Sequence, residues 1–165
     1  MELTAICTVT PISRPQRKLV YCTSKVATDY LSFCEEVGCN WEGLLNSIQE
    51  KFDTAALLEL PESLQTHGIG KIAAGVEVPI NYEKPLPKGY RTATLPECVM
   101  LYFQSEPYDN ADHFGKHIGQ VFQAIEKYDF PRYGYQPAKD IAPTFNFGAE
   151  TTTGARAAVP VKRIK

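Results

Sequence analysis

Two stretches of this chain carry the same succession of apolar and polar positions. At one constant spacing, residues 15–44 match residues 96–125: Pro15 faces Pro96, Tyr21 faces Tyr102, Ser24 faces Ser105, Phe33 faces Phe114 and Gly38 faces Gly119. The apolar class agrees between these identities, with Leu19 and Val20 over Met100 and Leu101, Val37 over Ile118, Trp41 over Phe122 and Leu44 over Ile125. Carried on without a gap, the spacing sets Val78-Pro79-Ile80 over Val159-Pro160-Val161. The shared pattern has period two and then period 3.6, so each copy reads as a strand followed by a helix.

Residues 3–10 alternate and carry β-favouring types, which predicts a first strand ending at Pro11; residues 17–23 predict a second, with Leu19 and Tyr21 on one face and Val20 and Cys22 on the other. A short Pro-containing turn between them makes an antiparallel hairpin the natural expectation. Thr28 or Asp29 can cap a helix. Beyond them Tyr30, Phe33, Cys34, Val37, Trp41, Leu44, Leu45, Ile48 and Phe52 form one apolar stripe at spacings of three and four, predicting a single helix lying on a sheet. Gly38 and Gly43 cost that helix roughly 1 kcal/mol each relative to alanine, and mark either a kink or a close approach. A short helical piece is expected at TAALLEL, and residues 71–80 read as a strand with Val76, Val78 and Ile80 opposite Gly75 and Glu77. The first unit, about 1–80, is therefore β-β-α-β.

The Pro- and Gly-bearing segment 81–89 reads as a linker. The second unit, about 90–165, repeats the order. Strands are expected at 90–95 and 98–104, and a helix opening at Pro107-Tyr108-Asp109-Asn110 with Phe114, Ile118, Val121, Phe122 and Ile125 inward. An aromatic, Pro-rich loop at 129–143 and strands at 144–148 and 156–164 complete it. Two such units, each unable to bury its sheet alone, predict one α+β domain: a single antiparallel sheet with two main helices, related by a pseudo-two-fold axis, with a groove between the units.

Composition narrows the function classes. The chain has 165 residues, 44% hydrophobic and 22% charged, with 17 basic and 19 acidic residues. That is ordinary globular material with no excess of positive charge for nucleic acid and no apolar run long enough to span a bilayer. The N-terminus lacks the layout of a signal peptide, so a cytoplasmic protein is expected. Cys7, Cys22, Cys34, Cys39 and Cys98 contain no C-x-x-C pair, which fits reduced thiols rather than a disulfide framework or zinc site. His113 and His117 stand four apart without a third ligand nearby, so neither a metal nor another cofactor is expected. The serines lack a nucleophile elbow, and GIGK at 68–71 is too short for a phosphate loop.

Three motifs carry a family resemblance: AAGVEVP at 73–79, the strand pair GYRTATLPECVMLYF at 89–103 and the closing VPVK at 159–162, together with the helix DYLSFCEEVGCNWEGLL at 29–45. Together they resemble the gyrase-inhibitor-like (GyrI-like) small-molecule-binding domain, the effector module of AraC-type and multidrug-responsive regulators. The likeness spans nearly the whole chain. It implies two pseudo-symmetric β-α-β-β modules and a central groove for lipophilic, often cationic, molecules. Such regulators commonly carry an acidic residue four positions before the proline of the closing strand. This chain has Arg156 there, which puts a preference for cations in doubt.

The groove residues nominated on this reading are Tyr21, Trp41, Glu77, Tyr102, Phe122 and Phe147: aromatic faces to bury ligand and attract cations, and one carboxylate to neutralise charge. Glu97 and Glu150 are weaker nominees for the carboxylate. The expected role is a stand-alone binding protein that sequesters or senses a lipophilic or aromatic small molecule, without direct DNA binding, since the two units use up the 165 residues. Two alternatives remain open. One is a hydrolase of reactive cyclopropane-type genotoxins, with Glu77 as general acid or water-positioning group beside Trp41 or Tyr102. The other is a protein-interaction module, with a protein such as gyrase as partner. The related haem-binding fold class is not adopted, because no histidine falls on a convincing haem-facing strand.

Overall fold

A computed structural model describes residues 7–65, 68–147 and 154–164. Among these residues nine strands and three α-helices follow one another as β1 (Thr8–Arg14), β2 (Arg17–Thr23), α1 (Tyr30–Val37), α2 (Trp41–Asn46), β3 (Ala56–Glu59), β4 (Ile72–Pro79), β5 (Arg91–Leu95), β6 (Cys98–Gln104), α3 (Phe114–Lys127), β7 (Tyr135–Pro137), β8 (Thr144–Phe147) and β9 (Arg156–Arg163). The strands make one antiparallel sheet in the order β1-β6-β9-β8-β3-β4-β2-β5, with β7 alongside β9. The architecture is α+β, as expected.

The expected hairpin does not form. β1 pairs with β6, and β5 pairs with β2, so each half lends its first strand to the other. This exchange sets the shape of the sheet. β1 lies at one edge and β2 next to the opposite edge, yet only Pro15 and Gln16 separate them. In a flat sheet that separation would be six strand spacings, roughly 29 Å, whereas three residue steps reach at most about 11 Å. The sheet must therefore curl until its edges meet. At the meeting point Arg14 lies across from Cys98, Arg17 lies across from Leu95, and Pro15 and Pro96 occupy the two crossing links. Because β1 is an edge strand, it tolerates Pro11 and runs on to Arg14 instead of stopping there.

The pairing registers confirm the two-fold relation. It passes through the Leu57–Asn146 pair of β3 and β8, and it makes β2 equivalent to β6 at the spacing read from the sequence. For the closing strands the spacing is longer by two: Val76, opposite Val20, corresponds to Val159, opposite Leu101. The gapless extension to Val78-Pro79-Ile80 is corrected accordingly.

Three more local expectations change. The long first helix is two helices, broken at Gly38, whose φ of 101° caps α1 in a conformation that suits glycine. TAALLEL is not helical. Its Ala56 and Leu58 face the inner core while Leu57 faces outward, and pairing with both β4 and β8 overrides its helix propensity. The second long helix begins at Phe114, after a 3₁₀ turn over Ala111–His113, and Tyr108 is an anchor buried beside α3. The positions expected as strand at 3–6, and Gly148 and Glu150, lie outside the described residues.

The curl produces an inner face and an outer face. Leu19, Tyr21, Leu58, Met100, Tyr102, Phe145 and Phe147 fill the inside. On the outside, α1 and α2 cover β2 and β4 through Phe33, Trp41 and Leu45, and α3 covers β6 and β9 through Val121. At the crossing, Arg17 is fully buried. Its Nε donates to Glu77 Oε2, and Nη1 donates to the carbonyls of Pro96 and Pro15, one on each link. Arg14 reaches the same carboxylate at 3.4 Å and donates to the Tyr102 hydroxyl at 2.7 Å.

Removing one member of a buried ion pair leaves an uncompensated charge, which costs about 3–5 kcal/mol. Glu77→Ala is therefore expected to lose about 3–5 kcal/mol of folding stability in urea denaturation. Joint replacement of Arg17 and Glu77 by methionine and leucine should recover only part of that loss, because the Pro15 and Pro96 carbonyls lose their donor and Arg14 its carboxylate. Equal stability of wild type and Glu77→Ala would show that the pair does not hold the crossing together.

Candidate functional site

The helices leave the centre of the outer face uncovered. There, between α1–α2 on one side and α3 on the other, lies a cleft of about 410 Å³ lined by Tyr30, Trp41, Glu42, Leu57, Phe114, Asn146 and Phe147. Leu57 and Asn146, the pair on the two-fold axis, belong to its floor strands. Trp41 and Tyr30 stand on one wall and Phe114 on the other.

The local sequence explains how α1 is held. Asp29 accepts the Ser32 N–H at 2.8 Å, and Ser32 Oγ accepts the Asp29 N–H at 3.0 Å, a reciprocal cap that satisfies otherwise orphaned donors. Glu36 accepts the N–H groups of Lys25 and Val26 at 2.6 and 2.9 Å and ties the loop after β2 to the helix. Both carboxyls are held below their ordinary range, chiefly by these backbone donors.

Trp41 is 2% exposed and meets Tyr30 and Phe33 edge-on, at centroid distances of 6.2 and 6.0 Å. The Tyr30 hydroxyl donates to Glu42 Oε1 at 3.1 Å. Burial first, then the Cys34 thiol and the Glu42 carboxylate, push the Tyr30 phenol up, so it remains a protonated donor at neutral pH. Glu42 is the one charged side chain among the described residues of the lining. The cleft therefore offers aromatic walls, a floor of Leu57 and Asn146 and a single negative charge, and its described lining holds no arrangement of nucleophile and base.

The nominated residues divide between the two faces. Trp41 lines the cleft, and Phe147 borders it from β8 while its ring stacks on Tyr102 in the inner core. Tyr21, Tyr102 and Glu77 lie on the inner face instead, because strict alternation along β2, β4 and β6 turns them away from the helices. Phe122 is 36% exposed on α3 and does not line the cleft. The expectation that all six meet in one groove is corrected on this ground. Glu77 is buried and ion-paired, not solvated, and Glu97 is exposed. Arg156 also belongs to the inner side: it holds Asp53 through two nitrogens at 2.8 and 3.0 Å and packs over Phe147 at 4.5 Å. His117 stacks on Tyr108 at 4.7 Å, and among the described residues no three His, Cys, Asp or Glu side chains gather as metal ligands.

Tyr30, Glu42, Leu57, Phe114 and Asn146 were missed as site residues. Tyr30 and Phe114 stand in the apolar stripes of the two helices, where sequence pattern does not separate a cleft wall from core. Glu42 lies beyond the break at Gly38, the kink that was one of the two readings of that glycine. Leu57 and Asn146 became visible only once TAALLEL proved to be a strand.

No protein-family model matches the sequence, and no curated protein matches it by sequence. Comparison of folds does find relatives. In fold, the chain is similar to SAV2435. That protein, in a structure bound to tetraphenylphosphonium, superposes with a TM-score of 0.59 at 16% identity, over 94% of this chain and 94% of that one. EcmrR in its DNA complex gives 0.50 at 9% identity, over 96% of this chain and 58% of that one. A protein of Staphylococcus aureus MU50 assigned to bacterial transcription regulation gives 0.50 at 15% identity, over 96% and 99%. Among the described residues no helix is long and apolar enough to cross a membrane.

The Asp29 cap generates a pH prediction. Its folded pKa lies below the unfolded value of about 4, so its contribution is present above that value and is lost as pH falls through the lower folded one. Acid titration by NMR should release the Ser32 amide first within α1, and Asp29→Asn, which keeps a capping oxygen, should flatten that response. An unchanged Ser32 profile in the variant would remove Asp29 from the anchoring of this wall.

Proposed function

We propose that this chain is a small-molecule-binding module of the GyrI-like kind, taking lipophilic aromatic molecules, cations included, in the cleft between α1–α2 and α3. The observation that carries the reading is the cleft itself: aromatic walls from Trp41, Tyr30 and Phe114 over a floor of Leu57 and Asn146, with Glu42 as the charge beside them. Aromatic faces attract cations through the ring quadrupole, and one carboxylate in an apolar surround favours a positive ligand. The fold similarity to SAV2435, whose structure contains tetraphenylphosphonium, supports the same class of occupant. The similarity to EcmrR in a DNA complex supports effector sensing as the use to which binding is put.

Magnitudes set the affinity. Hiding about 300 Å² of apolar ligand surface yields roughly 7 kcal/mol, and a cation over the aromatic rings adds about 2. Association costs at least about 4 kcal/mol, which leaves at most about 5 kcal/mol, a dissociation constant of roughly 0.2 mM or weaker.

Trp41 is the one tryptophan of the chain and serves as the reporter. Tetraphenylphosphonium is expected to change its emission saturably and to raise the melting temperature by mass action. Leu57→Arg, which fills the floor and adds positive charge, should weaken that binding at least tenfold, or about 1.4 kcal/mol. Phe122→Ala should leave it within about twofold, because Phe122 lies off the cleft. Absence of any saturable response across a panel of cationic and neutral aromatics would overturn the reading.

A further inference from the structure

Two residues that line the cleft carry buried polar atoms that the described residues do not satisfy. Trp41 Nε1 and Asn146 Oδ1 are both buried, and neither has a hydrogen-bond partner among the described residues. Both residues line the cleft, Trp41 as a wall and Asn146 on the floor, with Glu42 completing the lining beside Trp41. One is a donor in need of an acceptor, and the other is an acceptor in need of a donor.

The two-fold relation shows that these atoms are departures from the repeat. The counterpart of Trp41 is Phe122, and the counterpart of Asn146 across the axis is Leu57; neither carries a polar side-chain atom. Across the axis an apolar side chain fits the place equivalent to that of Asn146, so packing alone does not demand an amide there, and at the position of Trp41 the repeat carries a ring without a polar atom. A buried polar group without a partner is destabilising, and a ligand that supplies the partner removes the penalty.

We propose that the cleft selects aromatic molecules bearing a neighbouring hydrogen-bond acceptor and donor together with a protonated amine, the chemistry of an aryl carboxamide with an alkylammonium arm, over lipophilic cations that lack such groups. The ligand carbonyl accepts from Trp41 Nε1, its amide N–H donates to Asn146 Oδ1, and its ammonium faces Glu42. This selectivity rests on the binding reading above and adds a preference within it. A donor-less cation such as tetraphenylphosphonium still buries its rings, but it leaves both protein atoms unpaired and so binds below the potential of the site.

Three probes with one naphthyl ring and one diethylaminoethyl arm isolate the effect: joined by an amide, by an ester, which lacks the N–H, or by a two-carbon methylene link, which lacks both groups. Isothermal calorimetry on the wild-type chain should rank them amide, ester, methylene, with about tenfold between neighbours. Asn146→Leu should erase the difference between amide and ester while preserving that between ester and methylene. Trp41→Phe should do the reverse. Circular dichroism and melting confirm that each variant is folded, and tetraphenylphosphonium serves as the reference ligand. If all three probes bind alike while tetraphenylphosphonium also binds, or if the variants leave the ranking unchanged, the selectivity is overturned and lipophilic binding stands. If neither tetraphenylphosphonium nor any naphthyl probe binds, the binding reading itself falls, and the selectivity with it.

Discussion

The fold depends on two short links that must cross. Pro15-Gln16 and Pro96-Glu97 each carry the chain from an edge strand to a strand near the opposite edge, and the sheet closes on itself because those links are too short to allow anything else. Closure brings backbone carbonyls of both links to one point, where they need donors. Arg17 supplies them, binding the Pro96 and Pro15 carbonyls while Glu77 balances its charge. A planar guanidinium suits this task, since it offers several donors in a fixed fork and stays charged when buried. The exchange of β1 and β5 between halves has a second consequence. Neither half can complete its sheet without the other, so the cleft on the axis has both walls fixed by one cooperative unit.

Closure also separates charge. On the inner face Arg14, Arg17 and Arg156 face Glu77 and Asp53, and the aromatic rings of Phe52, Tyr102 and Phe147 lie under the guanidinium groups of Arg14 and Arg156. Three cations against two anions leave that side positively biased. On the outer face, Glu42 makes the cleft negative. Glu77, read from the sequence as the charge partner for a ligand, already has two arginines as partners. The same comparison resolves the significance of Arg156, which with Asp53 and Phe147 belongs to the packing of the inner face.

Much of this was legible in the sequence, and the repeat identities show why. Pro15 and Pro96 mark the crossing links. Ser24 and Ser105 mark equivalent pins, each bonding to the first turn of a closing strand: Ser24 to the Ile72 carbonyl at 2.5 Å through its hydroxyl, and Ser105 to the Ala155 N–H at 2.9 Å. Tyr21 and Tyr102 mark the inner face. Strand alternation, the apolar helix stripes and the antiparallel α+β class all followed from local pattern. Long-range pairing did not. A Pro-containing link of two residues looks the same in sequence whether its strands fold back on each other or part to opposite edges, and the choice is made by partners 70 to 96 residues away. TAALLEL likewise satisfies both helix and strand patterns until β4 and β8 flank it.

The candidate site was harder to read than the fold because symmetry and function pull in different directions. Repeated residues are those that both halves need, and what both halves need is mainly structure: crossing links, pins and core. A cleft on the two-fold axis is formed twice over by equivalent surfaces, so with a perfectly repeated sequence it would present the same group from both sides. Recognition of an unsymmetrical molecule requires that the two sides differ. Here they do. Phe33 is fully buried core while its repeat partner Phe114 lines the cleft, and Gly38 ends a helix while Gly119 lies within one. The break at Gly38 sets α2 apart from α1 and brings Trp41 and Glu42 to the cleft wall, whereas the unbroken α3 leaves Phe122 at the surface. The repeat thus builds the frame, and the chemistry sits at the positions where the two copies disagree.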